Sequence, residues 1–498
     1  MTASPSHRGV LRPALWVDAA SYSDGDVLRA VVVAAGLCWS AAFVAIGLGY
    51  DLQMYGDGAI FSYSVAVQDA WAIHWHNISG RLFVYLLCFV PAEIVVDITR
   101  NPHGGIVVYG LLHFAAPLMG LLATWAADRS KEHVIFVYAC LSTACLSPLV
   151  FGFPTELWIA HALFWPTLAI CHYAREGIGG FGLVLAALLA LVLTHEGAMI
   201  LAVAVVATLL LRGARSAPFR RAASALLIVT PIWILAKVAF PPDSYYTPVF
   251  ASAALHFFDA TIFENELLLL LLGTLASYWI ALTVLRWLTP AKAHIYATLI
   301  VTLALVVYWF WIDRALHANN RYYMRTALLI VTPVLGALAA AQALAADTQP
   351  ERSEVRWLAQ LARACVDSVA ARAICGAFLL VMLVHAVETT KFVTAWTDYK
   401  AAVRALARGA ASDPKLGDSH FVSSTRISAD LNRLSWNSTT PFLSVLLAPG
   451  FAPARLVVDP AANYFWLSCE AATTNLAADR AVPEEARRLV RLHACQHR

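Results

Sequence analysis

Residues 181–211 read FGLVLAALLALVLTHEGAMILAVAVVATLLL, and the only ionisable residues in this run belong to the tetrad Thr194-His-Glu-Gly197. A membrane helix needs about 20 apolar residues, so the run is too long for one ordinary span. Basic residues flank both ends, Arg175 before it and Arg212 after it. Because lysine and arginine favour the cytoplasmic side, both ends are predicted to be cytoplasmic. The run therefore predicts two short membrane helices that meet at the tetrad on the outer side.

The apolar character extends along the whole chain. Of 498 residues, 60% are hydrophobic and 13% are charged, whereas a soluble domain carries charges at about 25% of positions. This composition leaves too few polar residues to cover a soluble core, and it excludes disordered, coiled-coil and collagen-like classes. It predicts an all-α polytopic membrane protein. The net charge of +3, without a basic run, predicts no nucleic-acid partner.

Charge-poor stretches mark the predicted spans. They are roughly 30–49, 104–126, 134–152, 155–173, the two halves of 181–211, 222–240, 266–285, 295–312, 326–345 and 373–389. The apolar segment 82–99 is predicted to be interfacial or re-entrant, because it contains Glu93 and Asp97 and is interrupted by Pro91. This gives about eleven transmembrane helices, a cytoplasmic tail over 1–29 and an extracytoplasmic C-terminus. The alternative is twelve spans with the N-terminus outside.

Residues 391–498 follow the transmembrane domain, 30–390, and are predicted to form a small extracytoplasmic α/β domain. Its expected elements are two short strands and one helix, at 442–447, 454–458 and 482–491. Cys469 and Cys495 lie in this domain, and the other seven of the nine cysteines do not. Since the outer compartment is oxidising, these two are predicted to form a disulfide.

Ionisable residues within or beside a bilayer are costly to bury, which makes them functional candidates. Four clusters occur, and all fall on the outer side in the predicted topology. They are Asp51 and Asp57 in the first outer loop; His76 and Arg81; Glu156 with His195 and Glu196; and Arg321, Tyr322 and Arg325 in a late loop. Each has a structural alternative: Asp57 as a helix N-cap, Arg81 as a snorkelling side chain, Glu156 at a positive helix end, and the late arginines as loop charge.

The order of these residues resembles a known class. An acid in the first outer loop is followed by an amphipathic segment over 59–75, typical of a helix on a membrane surface, and then by Ser79-Gly80-Arg81. This is similar to the multi-pass GT-C glycosyltransferases. The turn Pro154-Thr-Glu156 and the break at His195-Glu196 also resemble that class. The resemblance covers about residues 30–330 and rests mainly on the common sidedness of short motifs.

The resemblance implies a membrane glycosyltransferase that moves a sugar from a polyprenyl-phosphate donor to a lipid or glycan acceptor on the outer face. A bacterial inner membrane and a cell-envelope glycan are expected. The implied roles are catalytic for Asp57, His195 and Glu196, donor phosphate-binding for Arg81, Arg321 and Arg325, and substrate-binding for His76, Glu156 and Tyr322. The class often has two adjacent acids, whereas here Gly58 follows Asp57. Asp51 is then the candidate second carboxylate for a divalent metal, so metal dependence stays open.

Other classes remain as alternatives. A polytopic transporter or flippase of a lipid-linked or anionic substrate would need charges along a path through the bilayer, whereas here they gather on one face. A membrane acyltransferase would use His195 but leaves Asp57 without a role. A glycan polymerase or ligase would have a long late outer loop, and the loop 243–265 is of modest length.

Overall fold

The computed structural model shows a bundle of helices with one small sheet. It describes residues 23–68, 70–71, 81–146, 155–239, 255, 266–313, 321–348, 371–408, 421–435, 439–451, 453 and 455–458. Within these ranges, eight helices are long and apolar enough to cross a membrane, and three shorter ones are also apolar. The prediction of an α-helical polytopic membrane protein is confirmed. Leucines on the outside of the bundle, such as Leu227, are exposed, as expected where lipid is the solvent.

The described helices are numbered α1 to α15 in chain order. They are α1 Asp24–Gly49, α2 Gly58–Ala66, α3 Leu82–Thr99, α4 Pro102–Ala127, α5 Val134–Leu146, α6 Glu156–Tyr173, α7 Ile178–Val192, α8 Ala198–Arg212, α9 Ala217–Ala239, α10 Glu266–Leu288, α11 Ala293–Ile312, α12 Arg321–Thr348, α13 Ala371–Arg408, α14 Ala429–Asn432 and α15 Thr440–Leu446. Two short strands, β1 Phe421–Ser423 and β2 Leu456–Val458, pair in parallel. The break between α7 and α8 falls at the predicted tetrad, so the prediction of two short helices that meet there is confirmed.

Local sequence explains where the long helices begin. The Ser23 hydroxyl accepts from the backbone of Asp26, whose carboxylate accepts from the Ser23 backbone, and this capping box starts α1. The Asn101 side chain accepts a hydrogen bond from the Gly104 N–H, and Pro102 occupies the first position of α4. Capped starts fix the helix ends, and it is at helix ends that the polar side chains of this protein meet.

Ion pairs mark the two ends of the bundle. At one end Arg372 of α13 contacts Asp24 of α1 at 2.7 Å. At the other end Lys400 of α13 contacts Asp51, just after α1, at 2.8 Å. Helices α1 and α13 therefore run side by side in the same direction. We call these the Asp24 end and the Asp51 end; the loop charges predict that the Asp24 end is cytoplasmic.

Helix α3 covers the segment predicted to be interfacial. It packs against the first half of α4, with Val96 against Gly105 and the Phe89 ring 5.1 Å from the Tyr109 ring. At its start, the Phe83 N–H donates to the Leu193 carbonyl oxygen in the turn between α7 and α8. Its length and composition would allow a crossing. The count of eleven spans therefore stays a prediction.

The first outer loop differs from its prediction. Helix α2 ends at Ala66, and every residue from Gly58 to Val65 is buried, so within the described residues the prediction of a helix lying on a membrane surface is wrong. The physical reason is that the C-terminal part of the chain covers this helix: the rings of Tyr63 on α2 and Phe442 on α15 lie 5.1 Å apart. Residues 72–80 lie outside the described part of the chain.

The C-terminal region is confirmed in one element and corrected in another. The predicted strand at 454–458 is present as β2, but 442–447 lies mostly in helix α15, so that strand prediction is wrong. Pro441 presets the backbone for a first helical turn. All residues of α15 are buried, so the segment has no alternation of apolar and polar residues that would mark a strand. Helix α13 continues from Ala371 to Arg408 across the boundary predicted at 390. The predicted helix at 482–491, Cys469 and Cys495 lie outside the described residues.

Candidate functional site

Four charged side chains meet at the Asp51 end of the bundle. The Arg81 guanidinium contacts Glu156 at 2.9 Å and Glu196 at 2.9 Å, and the Lys237 ammonium contacts the second Glu196 oxygen at 2.7 Å. The four side chains are between 8% and 18% exposed. We call them the ion-pair cluster. Two cations face two carboxylates, so the charges of the cluster balance.

Each member of the ion-pair cluster comes from the end of a different helix. Arg81 immediately precedes α3, and Glu156 is the first residue of α6. Glu196 lies in the turn between α7 and α8, and Lys237 lies in the last turn of α9. The cluster therefore ties four helix ends together, and only the folded chain can assemble it.

The turn between α7 and α8 holds its two ionisable residues in defined states. Burial raises the pKa of Glu196, but the charges around it, chiefly that of Arg81 and also that of Lys237, outweigh burial and hold the pKa below its usual value, so Glu196 is ionised at neutral pH. Burial, followed by Arg81, lowers the pKa of His195 to about 4, so its ring is neutral. The Gly197 N–H donates to Nδ1 of His195 at 3.0 Å, which leaves the ring proton on Nε2.

Asp57 lies half-buried just before α2. Its side chain makes no capping hydrogen bond to that helix, so the N-cap alternative for this residue is wrong. The phenol of Tyr109 on α4 lies within electrostatic reach of both Asp57 and Glu156. Asp57 thus shares Tyr109 as a neighbour with Glu156 of the ion-pair cluster.

Asp51 does not join this group. Its backbone has a positive φ of 56°, and its carboxylate accepts a hydrogen bond from Lys400 at 2.8 Å. Lys400 also donates to the Tyr50 carbonyl oxygen at 2.6 Å. Among the described residues, no group of three or more His, Cys, Asp or Glu side chains could hold a metal ion. The contacts give Asp51 a structural role in the loop after α1.

The remaining predicted site residues have less structural context. Arg321, Tyr322 and Arg325 lie in the first turns of α12, and their side chains are outside the described part of the structure. His76 falls within the undescribed segment 72–80. The structure therefore brings together Arg81, Glu156, His195 and Glu196 from the sequence prediction, with Asp57 beside them.

Two residues of the site were missed by sequence reasoning. Lys237 lies inside the predicted span 222–240, where an ionisable side chain is itself a signal of a functional group. The sequence did not mark Tyr109 as a site residue, since an aromatic residue in an apolar helix usually belongs to the hydrophobic core. Snorkelling and phosphate binding were the two roles expected of Arg81, and its contacts with two carboxylates were not predicted.

Comparisons of the chain with protein-family models, curated proteins and solved structures found no match. The fold and its exposed apolar helices define the class, a polytopic α-helical membrane protein. Any narrower assignment rests on the chemistry of the site alone.

Proposed function

We propose that this chain is a membrane glycosyltransferase that moves a sugar from a polyprenyl-phosphate donor to a lipid or glycan acceptor at the Asp51 end of the bundle. The observation that supports it best is that Arg81 joins Glu156 and Glu196 at one set of helix ends, with Asp57 and Glu156 both within electrostatic reach of Tyr109. Carboxylates placed at a bilayer edge suit a reaction on a donor that reaches the site from the membrane.

Asp57 is the proposed general base. Glycosyl transfer requires the acceptor hydroxyl to lose a proton as its oxygen bonds to the sugar C1, while the bond from C1 to the donor phosphate breaks and the phosphate leaves with the electron pair. A positioned carboxylate that takes this proton contributes typically about 10²–10⁴ in rate. Glu196 is a weaker base, because the charges around it, chiefly that of Arg81, hold its pKa below the usual value.

The proposed role of Arg81 in binding the donor phosphate needs one further step. Both Arg81 and Lys237 contact Glu196. A phosphate bound by these cations must therefore take the place of a Glu196 oxygen. An arginine can donate two parallel hydrogen bonds to phosphate oxygens, and these replace its contact with the Glu196 carboxylate. Arg321 and Arg325 are further candidates for the phosphate, and His76, His195 and Tyr322 for the sugar or acceptor.

A transporter or flippase of a lipid-linked or anionic substrate is the second candidate. The observation that favours it is the ion-pair cluster itself, since buried pairs that join four helix ends can exchange partners when the helices move. This candidate needs no covalent product.

One experiment tests the proposed function and separates the two candidates. Membrane lipids and surface glycans are compared by mass spectrometry in a strain lacking this protein and in the same strain complemented with it. A glycosyltransferase predicts loss of one defined sugar from an acceptor and its return on complementation, together with accumulation of the lipid-linked donor. An unchanged set of glycosylated products would contradict the proposal. If labelled lipid moves between the two leaflets of proteoliposomes and no new covalent product forms, the transporter is favoured instead.

A further inference from the structure

A second site lies at the opposite end of the bundle. A groove of about 440 Å³ opens between the first turns of α1, α11 and α13. It lies at the Asp24 end, away from the ion-pair cluster. Its polar lining consists of Asp24, His294, Thr298 and Arg372, and the rest of its lining is mainly apolar.

The groove has the polarity profile of a lipid seen from headgroup to chain. Asp24, His294 and Arg372 lie at the very start of their helices, whereas the apolar residues lie further along. On α13 the lining runs from Arg372 to Leu379, which is about 10 Å along the helix axis at about 1.5 Å per residue. The apolar side chains Val27, Ile295, Leu299 and Leu379 are exposed. An exposed apolar wall below a charged rim fits an acyl chain below its headgroup.

Charge complementarity favours an anionic headgroup. Arg372 uses Nε to donate to Asp24 at 2.7 Å, so its two terminal nitrogens remain on a side chain that is 58% exposed. Lys292 immediately precedes α11, and an ammonium cannot accept hydrogen bonds from the N–H groups of the first helical turn. The start of α11 therefore adds the positive end of a helix dipole to the same rim. Among the described lining residues Asp24 is the one acid, and it opposes this charge.

We propose that this groove binds the phosphate headgroup of an anionic phospholipid from the leaflet at the Asp24 end. Arg372 is the principal ligand, and Asp24 competes with the phosphate for it. The apolar wall favours a lipid over free phosphate, because an acyl chain can pack against Leu299 and Leu379 and inorganic phosphate cannot. Basic pockets between membrane helices on the cytoplasmic side recognise anionic headgroups in this way. The site does not depend on the proposed glycosyl transfer.

The test measures phospholipid binding to the full-length chain purified in detergent, by native mass spectrometry with phosphatidylglycerol or phosphatidylcholine. Arg372→Gln should weaken phosphatidylglycerol binding about fivefold, the effect of one basic residue near an anionic surface, and should leave phosphatidylcholine unchanged. Asp24→Asn should strengthen phosphatidylglycerol binding, since the phosphate loses its competitor. The two variants break the same ion pair, so opposite signs separate a lipid site from a structural pair.

Two controls complete the test. Arg29 and Glu132 form another exposed pair at the Asp24 end, and Arg29→Gln should not change lipid binding. Leu299→Trp fills the groove without altering charge and should reduce phosphatidylglycerol binding. The proposal is overturned if Arg372→Gln and Asp24→Asn shift phosphatidylglycerol binding in the same direction or not at all. It is also overturned if millimolar inorganic phosphate removes all bound phosphatidylglycerol, because the site would then take a free anion.

Discussion

Replacing Arg81 by methionine should destabilise this chain far more than removing an exposed arginine. Arg81 contacts both Glu156 and Glu196, and neither carboxylate side chain is more than 9% exposed. Methionine keeps much of the side-chain volume but removes the charge, which leaves Glu156 without this partner and Glu196 with Lys237. Removing one partner of a buried ion pair costs about 3–5 kcal/mol, because an uncompensated charge stays buried.

Arg29→Met is the matched control. Arg29 pairs with Glu132, and both side chains are more than 40% exposed. A pair at that exposure contributes about 0–1 kcal/mol. The two variants make the same chemical change, but Arg81 is buried and contacts two carboxylates, whereas Arg29 is exposed and contacts one. The difference between them therefore measures the buried cluster.

The assay is the free energy of unfolding in mixed micelles, followed by tryptophan fluorescence. Arg81→Met combined with Glu156→Gln should recover part of the loss, because the double variant no longer buries the Glu156 charge. The reasoning is refuted if Arg81→Met costs no more than Arg29→Met. It is equally refuted if Glu156→Gln in the Arg81→Met background gives no recovery.

Three further predictions concern packing, the first loop and topology. Gly120→Ala should cost about 1–3 kcal/mol, because a Cβ there would lie 2.3 Å from the Ala162 carbonyl oxygen, whereas Gly182→Ala, with nothing within 4 Å, should not destabilise; thermal unfolding compares them. Lys400→Met should speed amide hydrogen exchange in the loop after α1, because it removes two hydrogen bonds to that loop, and unchanged exchange would contradict this. Cysteine labelling should reach introduced cysteines after α13 only from outside and those in 352–372 only from inside; the reverse would overturn the topology.

The sequence was sufficient for features that depend on length and charge. The tetrad at 194–197 lies in the run 181–211, which is too long for one helix and has basic residues on both sides. The structure breaks the helix at this tetrad. The end of α7 and the start of α8 could therefore be predicted without any knowledge of tertiary contacts. Glu156 and Glu196 were recognisable as candidates because an ionised side chain beside a bilayer is costly.

Features that depend on contacts between distant segments could not be read from the sequence. Arg81 pairs with acids 75 and 115 residues away along the chain, and no local pattern encodes that choice of partner. Helix α2 has a surface-helix pattern but is buried, because α15 folds back over Tyr63. The same packing decides that 442–447 is mostly helical, since an apolar run buried on all sides has no period that separates helix from strand.

The measurement that tests the central claim most directly compares Asp57→Asn with Asp51→Asn in the complementation assay. Both variants remove one carboxylate from the same loop, and asparagine is nearly isosteric with aspartate. Asp57→Asn is predicted to reduce formation of the glycosylated product by about 10²–10⁴-fold while the protein remains folded in the membrane. Asp51→Asn, which loses only a contact with Lys400, should retain most of the product. Product formation by Asp57→Asn at the level of Asp51→Asn would contradict the assignment of Asp57 as the general base.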